Sequence, residues 1–412
     1  MKRRVCPVIA LILMMLAALA CGLPGSGGGQ PSSPDQVETI VAATIQALTP
    51  AVGTEATSSP EPEASGLLPH SLYFMNNDAT GILQVYRLEK DGKTLKQITT
   101  EPSTVSSYDV SPVDGSVAYV ANNQLLLINA DGSGRRMLVD GGAVDPNDPF
   151  LTSLTSPVFS PNGQVIAYNN RGLILYSLST GVSNTAYEEI FFDTTTESYL
   201  PGKLFIPQKY SPDGTRMLVT VAIPNSDGIS AAIYTIASDL LTPLAGGDGA
   251  RVCCSEQAWT GDSSALFVGI SSIGYFSPGL WRMDAATGNS TALLPAEAGG
   301  GNFNFANMPY LAPDGQLYFF YAAAPAPDEM VIRAPLQIVR SAPDGVTGRT
   351  VLNPENFQLM NEALWAPDAS FVVVASAPIQ EVYSGGIVEV VYFDGRPSVE
   401  LAPFAENMKW GP

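Results

Sequence analysis

The chain has little of what most catalytic sites and nucleic-acid surfaces are made from. Its 412 residues include one histidine, four cysteines and 20 lysines and arginines, against 39 aspartates and glutamates, for a formal net charge of -19. A single histidine excludes multi-histidine metal sites and nucleophilic catalysis by Ser-His or Cys-His pairs elsewhere in the fold. Nucleic-acid binding needs a basic surface, and the charge has the opposite sign. We expect no nucleic-acid partner and interpret the acidity as an aid to solubility.

Motifs for other chemistry are missing as well. The chain has no G-x-S-x-G elbow, no C-x-x-C-H haem site and no G-x-G-x-x-G fingerprint. Asp91-Gly92-Lys93-Thr94 resembles the end of a phosphate-binding loop, but the required earlier glycine would fall at Arg87, which predicts a turn. We predict no catalytic residue, no metal and no cofactor. One enzyme class stays open, a carbohydrate-active hydrolase or lyase, because its two carboxylates need only meet in space.

The N-terminus has the pattern of an export signal. Three basic residues at 2–4 precede an apolar segment over 8–19, and Ala18-Leu19-Ala20 leads to Cys21. This pattern predicts a signal peptide over residues 1–20 and not a resident membrane helix. The cysteine at the junction resembles the lipobox of bacterial lipoproteins, which implies lipidation of Cys21 and an extracytoplasmic, membrane-anchored protein on the cell surface or in the periplasm. An ordinary secretory signal with a chance cysteine is the alternative.

Residues 21–67 are predicted to be a flexible tether between this anchor and a folded domain over 68–412. Both ends of the tether are rich in Gly, Ser, Pro and Thr. Between them, Asp35 is a candidate N-cap, and apolar residues at helical spacing predict a short helix around 35–48. That helix is too short to be stable alone, so it either docks, self-associates or forms transiently.

Internal repetition dominates the rest of the chain. An apolar or aromatic residue, a turn of the Ser-Pro-Asp-Gly type and an apolar β run recur at spacings of about 50 residues. The six copies are VSPVDGSVAYV from Val110, FSPNGQVIAY from Phe159, YSPDGTRMLV from Tyr210, WTGDSSALFV from Trp259, LAPDGQLYFF from Leu311 and WAPDASFVVV from Trp365. Proline, aspartate and glycine suit the successive positions of such a turn. Each copy therefore predicts a β-hairpin.

A second strand pair with its own turn follows in each period. The seven outer pairs are LQVYRLEKDGKTLKQIT, QLLLINADGSGRRMLV, LILYSLSTGVSNTAY, AAIYTIASDLLTPL, GLWRMDAATGNSTALL, LQIVRSAPDGVTGRTVL and VEVVYFDGRPSVEL. The seventh inner motif is split: Trp410 opens it at one end of the chain, and Leu72-Tyr73-Phe74 supplies its β run at the other. About four strands per period predict an all-β fold, a seven-bladed β-propeller closed by strands from both termini, with six blades as the alternative.

The turns and outer hairpins resemble the TolB-like propeller repeat, also called the WD40-like or PD40 repeat, over roughly residues 68–412. The resemblance implies a propeller and little about function, because the repeated positions are turn and core residues. A separate N-terminal α/β domain, which TolB carries, has no counterpart in this sequence. The hydrolase domain that accompanies similar propellers in prolyl oligopeptidases has none either.

Two sets of repeated residues have both a structural and a functional interpretation. Asp114, Asp213, Asp262, Asp314 and Asp368, with Asn162, occupy one turn position, which favours a structural role over paired catalytic carboxylates. The column of residues that opens the repeats is Val110, Phe159, Tyr210, Trp259, Leu311, Trp365 and Trp410. We interpret this column as packing between blades, since large rings bury much area, with a carbohydrate-binding ring of aromatics as the alternative.

Cys253 and Cys254 are the candidate ligand-binding residues. After export they are the domain's two free thiols, and neighbouring thiols in an oxidising compartment tend to pair. Adjacent cysteines close only a strained ring. The hypothesis is a vicinal disulfide that gives a rigid patch near the channel mouth; two reduced, buried cysteines are the alternative. The acidic loop with Asp145 and Asp148 is interpreted as a turn-rich loop and not a calcium site.

The expected function is binding or scaffolding by a lipid-anchored propeller. Its partners would be the membrane, through the lipid, and an envelope or extracellular protein, peptide or glycan, through the channel face. Propeller sites are assembled from loops of several blades, so a single sequence carries no motif for the ligand. The alternatives are the carboxylate enzyme above and a stalked structural protein whose helix at 35–48 oligomerises.

Overall fold

The fold is built almost entirely from antiparallel strands. The computed structural model describes residues 66–146, 149–224, 229–244, 256–273, 277–328 and 332–412. Helix is limited there to α1 (Pro149–Thr152) and a 3-10 turn, Ile236–Ser238, beside 29 strands. The prediction of an all-β domain is confirmed. No helix in these ranges is long and apolar enough to cross a membrane.

The strands form four-stranded groups that follow one another along the chain. Group 1 holds β4 (Val105–Val110), β5 (Val117–Ala121), β6 (Gln124–Ile128) and β7 (Arg136–Asp140). Group 2 holds β8 (Thr155–Phe159), β9 (Val165–Asn170), β10 (Gly172–Ser177) and β11 (Val182–Tyr187). Group 3 holds β13 (Ser198–Tyr210), β14 (Arg216–Ala222), β15 (Ile229–Thr235) and β16 (Leu240–Pro243), with β12 (Glu189–Asp193) added on β13. Group 4 holds β17 (Glu256–Trp259), β18 (Ala265–Ile270), β19 (Gly279–Asp284) and β20 (Ser290–Leu294).

The last three groups follow the same order. Group 5 holds β22 (Asn302–Leu311), β23 (Leu317–Pro325), β24 (Gln337–Ser341) and β25 (Thr350–Asn353), with β21 (Glu297–Gly299) added on β22. Group 6 holds β26 (Met360–Trp365), β27 (Phe371–Ser376), β28 (Gly386–Tyr392) and the first half of β29 (Val399–Trp410). Group 7 holds the second half of β29 with β1 (Leu72–Asn77), β2 (Leu83–Leu88) and β3 (Leu95–Gln97). The additional strands β12 and β21 were not predicted from the sequence.

Strands from the two ends of the described domain pair with each other. Leu72 of β1 lies opposite Trp410 of β29, and Tyr73 lies opposite Lys409. Because β29 also pairs with β28 through its first half, groups 6 and 7 form one seven-stranded sheet. The predicted closure by both termini is therefore observed. In the described ranges hydrogen bonding defines six sheets, which become seven groups when β29 is divided, so the predicted blade number stays an interpretation of this count.

The core lies between consecutive groups. Each of seven clusters of buried apolar side chains joins one group to the next, and the last joins group 7 to group 1. In β27, Val373 and Ala375 pack against group 7, whereas Val372 and Val374 pack against group 5. Successive strand residues point to opposite faces, and both faces are covered here. This two-sided burial explains why the strand is a continuous apolar run in sequence.

The six repeated turns connect the first and second strands of groups 1 to 6. In group 3, Gly214 has φ +71, and its amide donates to the carbonyl of Ser211 at 2.9 Å. Asp213 Oδ1 accepts from the amide of Thr215 at 3.0 Å. Glycine adopts this positive φ without a Cβ penalty, and aspartate fixes the turn through its own side chain. The sequence pattern therefore specifies the hairpin locally.

Six of the innermost strands contain a β-bulge shortly before the residue of the repeated column. The register shifts lie in β4, β8, β13, β22, β26 and β29. Ser156, Met308 and Asn407 adopt φ of 55, 48 and 55 at these points. A bulge bends the strand and exposes backbone groups that the ladder no longer uses. At the bulges of β8, β22 and β29, side chains of a neighbouring group bind such backbone groups.

Candidate functional site

A cavity of about 400 Å³ lies where the inner strands of groups 3 to 7 approach their C-terminal ends. We call it the channel cavity. Its lining residues are Lys209, Gln257, Ala258, Met308, Pro309, Tyr310, Ala363, Leu364, Trp365, Pro367, Met408 and Trp410. Five successive groups contribute between one and four of these residues each. The surface is therefore mainly apolar and aromatic, with one amine and one amide.

The repeated aromatic column packs between the groups, as the sequence analysis favoured. Trp259 and Trp365 are each 7% exposed. The indole N–H of Trp365 donates to the carbonyl of Met308 at 2.8 Å, and that of Trp410 donates to the carbonyl of Trp365 at 2.8 Å. Trp365 and Trp410 thus reach back to the preceding group, whereas the buried Nε1 of Trp259 has no hydrogen-bond partner among the described residues. Because these rings pack in the joints between groups, the column does not form an open aromatic ring for a sugar.

Asp109 is a carboxylate on an inner strand, and it is held from both sides. Its Oδ1 accepts from Lys409 Nζ at 2.7 Å, and its Oδ2 accepts from the amide of Phe159 at 2.6 Å. Its side chain is 15% exposed. One residue thereby joins group 1 to group 7 and to group 2.

Glu362 plays the same part between groups 6 and 7. Its two oxygens accept from the amides of Asn407 and Met408 at 2.8 and 2.9 Å, at the bulge of β29. Burial is the main cause that raises the pKa of Glu362, while these two amides oppose the increase. Tyr108 donates to the carbonyl of Asn407 at 2.5 Å, and burial raises its pKa well above the ordinary value. These groups stabilise the joint between the first and last inner strands.

The repeated turn residues have the structural role that the sequence favoured. In each of the six turns the side-chain oxygen accepts from the amide two residues later. The pairs are Asp114 with Ser116, Asn162 with Gln164, Asp213 with Thr215, Asp262 with Ser264, Asp314 with Gln316 and Asp368 with Ser370. The phosphate-loop-like segment is also a turn, because Asp91 Oδ1 accepts from the amides of Lys93 and Thr94 at 2.9 Å.

Several predicted residues lie outside the described ranges. These are Cys21, Cys253, Cys254 and Asp148, so lipidation and the vicinal disulfide stay predictions. The histidine, His70, lies with its ring centre 6.4 Å from that of Trp410. Among the described residues no group of three or more His, Cys, Asp or Glu side chains could hold a metal ion.

Comparison with solved structures identifies the architecture. An oligogalacturonate lyase solved with manganese is 11% identical, with a TM-score of 0.51 over 82% of this chain and 86% of its own. Prolyl oligopeptidase B from Galerina marginata is also 11% identical, with a TM-score of 0.51 over 82% of this chain and 50% of its own. The fold is a β-propeller. The chain spans about half of the oligopeptidase, and identities this low show the fold alone.

A TolB from Acinetobacter baumannii matches with 16% identity and a TM-score of 0.41, over 82% of this chain and 81% of its own. No protein-family model and no curated protein matches the sequence. The TolB-like family assignment therefore stays a resemblance, while the propeller is established.

The sequence analysis singled out Trp365 and Trp410 but missed the other residues that line the channel cavity. Ala258, Tyr310 and Leu364 each directly precede a residue of the repeated column. In a strand, neighbouring side chains point to opposite faces, so a column residue packed between groups leaves the preceding residue facing the channel. That position varies between copies, unlike the turn. The signal available in the sequence was the position directly before each column residue, which could have indicated a side chain facing the channel.

Proposed function

We propose that the protein is a binding propeller that recognises a protein, peptide or glycan through its channel face. The channel cavity carries this proposal, because it gathers apolar, aromatic and hydrogen-bonding side chains from five successive groups. Ligand pockets are mostly apolar with a few polar groups that fix orientation, and this lining has that composition. The alternative, catalysis by channel carboxylates, is less well supported, since Asp109 and Glu362 both hold neighbouring inner strands.

The proposal is tested with the purified full chain on a glycan array and in crosslinking to envelope proteins. Lys209 lines the channel cavity, and Lys203 on the same strand β13 pairs with Glu189 at the surface at 2.9 Å. Lys209→Ala should weaken the captured interaction severalfold, while Lys203→Ala should leave it unchanged. Equal behaviour of the two variants would show that the ligand does not enter the channel cavity.

We further propose that the propeller is exported and anchored by lipid on Cys21, with residues 21–67 as its tether. The basic residues, the apolar segment and the small residues before Cys21 support this. Expression in a bacterial host with an alkyne-tagged palmitate analogue should label the protein and leave Cys21→Ser unlabelled. Equal labelling of both forms would refute the anchor at this residue.

A further inference from the structure

A second cavity, of about 330 Å³, lies at the N-terminal ends of β22 and β26. We call it the loop cavity, because connections of groups 4, 5 and 6 form most of its wall. It shares no lining residue with the channel cavity. Its volume is at the lower end of the range for ligand pockets, about 300–1,000 Å³, which suits a short part of a larger ligand.

Arg333 is the charged side chain of the loop cavity, and the protein holds it in one orientation. Nη1 donates to Asn361 Oδ1 at 2.8 Å, and Nη2 donates to the carbonyls of Val382 and Gln380 at 2.5 and 3.1 Å. Its own carbonyl accepts from Gln358 Nε2 at 2.7 Å. All of these partners are neutral. A long cationic side chain is therefore ordered in advance, and no described residue supplies a counter-ion.

Some other arginines in the described ranges are paired with carboxylates, although Arg216, like Arg333, donates to a backbone carbonyl and has no ion pair there. Arg135 pairs with Glu101 at 2.6 Å, and Arg396 pairs with Asp394 at 2.8 Å. Arg333 has no carboxylate within 4 Å among the described residues, and none of them accepts from its Nε. Burial is the main cause that lowers the pKa of Arg333. Such a desolvated cation favours an anionic ligand, since a charge-assisted hydrogen bond is about twice as strong as a neutral one.

The surroundings of Arg333 suit an apolar group beside that anion. The Tyr383 ring centre lies 4.9 Å from the guanidinium carbon, and this tyrosine is 66% exposed. Phe305, Leu336 and Met360 are buried in the wall of the cavity. A ligand that reaches Arg333 would therefore place apolar surface against these side chains.

We infer that the loop cavity binds the free carboxyl end of a peptide whose last side chain is apolar. The carboxylate supplies a counter-ion that no described residue provides for Arg333, and the apolar side chain covers the wall beside Tyr383. Capture of a terminal carboxylate is an established mode of peptide recognition, and a small cavity accommodates an end more readily than a continuous chain. This site is separate from the channel cavity, so its test does not depend on the proposal made for that cavity.

The test measures binding of fluorescent hexapeptides ending in leucine to the purified full chain by anisotropy. Each peptide is made as the free acid and as the C-terminal amide. The acid should bind about tenfold more tightly, as expected for one charge-assisted hydrogen bond. Equal affinity of acid and amide, or no binding at millimolar protein, would overturn the proposal. Binding of oligouronates without binding of the peptides would overturn it too.

Variants separate the charge from the integrity of the loops. Arg333→Gln should abolish the preference for the acid, and Arg396→Gln should preserve it, because Arg396 also lies 3.9 Å from a tyrosine ring but is already paired with Asp394. If Arg333→Gln does not fold, Tyr383→Ala changes only an exposed ring and should weaken binding of the acid severalfold. Retention of the preference in Arg333→Gln, or unchanged affinity in Tyr383→Ala, would contradict the assignment.

Discussion

The ion pair between Asp109 and Lys409 gives a direct measure of how strongly group 1 is joined to group 7. The residues are 300 positions apart, and their charged atoms are 2.7 Å apart. Lys409→Met keeps the length of the stem and removes the charge. Asp109→Asn keeps an oxygen that accepts from the amide of Phe159. A double-mutant cycle with these substitutions therefore isolates the charge interaction.

The burial of the pair sets the expected energy. Side-chain exposures of 34% for Lys409 and 15% for Asp109 place it between a surface pair and a buried one. Exposed pairs contribute about 0.2–1 kcal/mol, and loss of one partner of a buried pair costs about 3–5 kcal/mol. The double-mutant cycle should therefore give a coupling free energy of about 1–2 kcal/mol, which lies between those two limits. Urea denaturation, monitored by tryptophan fluorescence, measures the free energy of unfolding of each variant in the cycle.

The pair Glu189–Lys203 is the matched control. It is also a carboxylate–lysine pair, at 2.9 Å, but its side chains are 44% and 42% exposed. Its coupling free energy should stay below about 0.5 kcal/mol. A coupling at Asp109–Lys409 no larger than this control would mean that this ion pair does not help to hold group 1 against group 7.

Three further substitutions test other parts of the fold by chemical denaturation. Glu101→Gln should cost about 2 kcal/mol at neutral pH. Arg135 beside Glu101 lowers the pKa of that carboxyl, so the ion pair stabilises the fold above the ordinary glutamate pKa and this stabilisation is lost as the pH falls through the lowered value. The difference in free energy of unfolding between the native protein and Glu101→Gln should therefore shrink below about pH 4. A difference that does not change with pH would refute this. Trp365→Phe removes the hydrogen bond to the carbonyl of Met308 and should lower the free energy of unfolding by about 1 kcal/mol. An unchanged denaturation midpoint would show that this hydrogen bond does not stabilise the fold. Gly386→Ala places a Cβ 2.1 Å from a carbonyl oxygen and should destabilise more than Gly395→Ala, which has nothing within 4 Å; equal costs would show that the close contact relaxes.

The parts of the fold that were predictable are those that each repeat encodes locally. The Ser211–Gly214 turn contains its own proline, aspartate and glycine, and the strand that follows is apolar because both of its faces are buried. The split repeat was visible since Leu72 and Trp410 keep the spacing of the intact copies. These signals need no knowledge of distant contacts.

The remaining features depend on contacts between groups, which one repeat does not encode. The bulge at Asn407 is fixed by Glu362, 45 residues earlier, and by Tyr108, 299 residues earlier. The orientation of Arg333 depends on backbone carbonyls 47 and 49 residues away. Backbone acceptors carry no residue signature, so a sequence pattern cannot point to such a cavity.

The hydrogen bond from the amide of Gly411 to the carbonyl of Ser71, at 2.8 Å, has a consequence for engineering. If the residues before position 66 were removed, the two ends of the described domain would lie side by side and could be fused by a short linker, and new ends could be opened in an exposed surface turn. The turn at Gly395, between β28 and β29, is exposed and has open space around it. A circular permutant opened there would have a continuous peptide where β29 now meets β1. The fold would then not depend on which residue comes first in the chain.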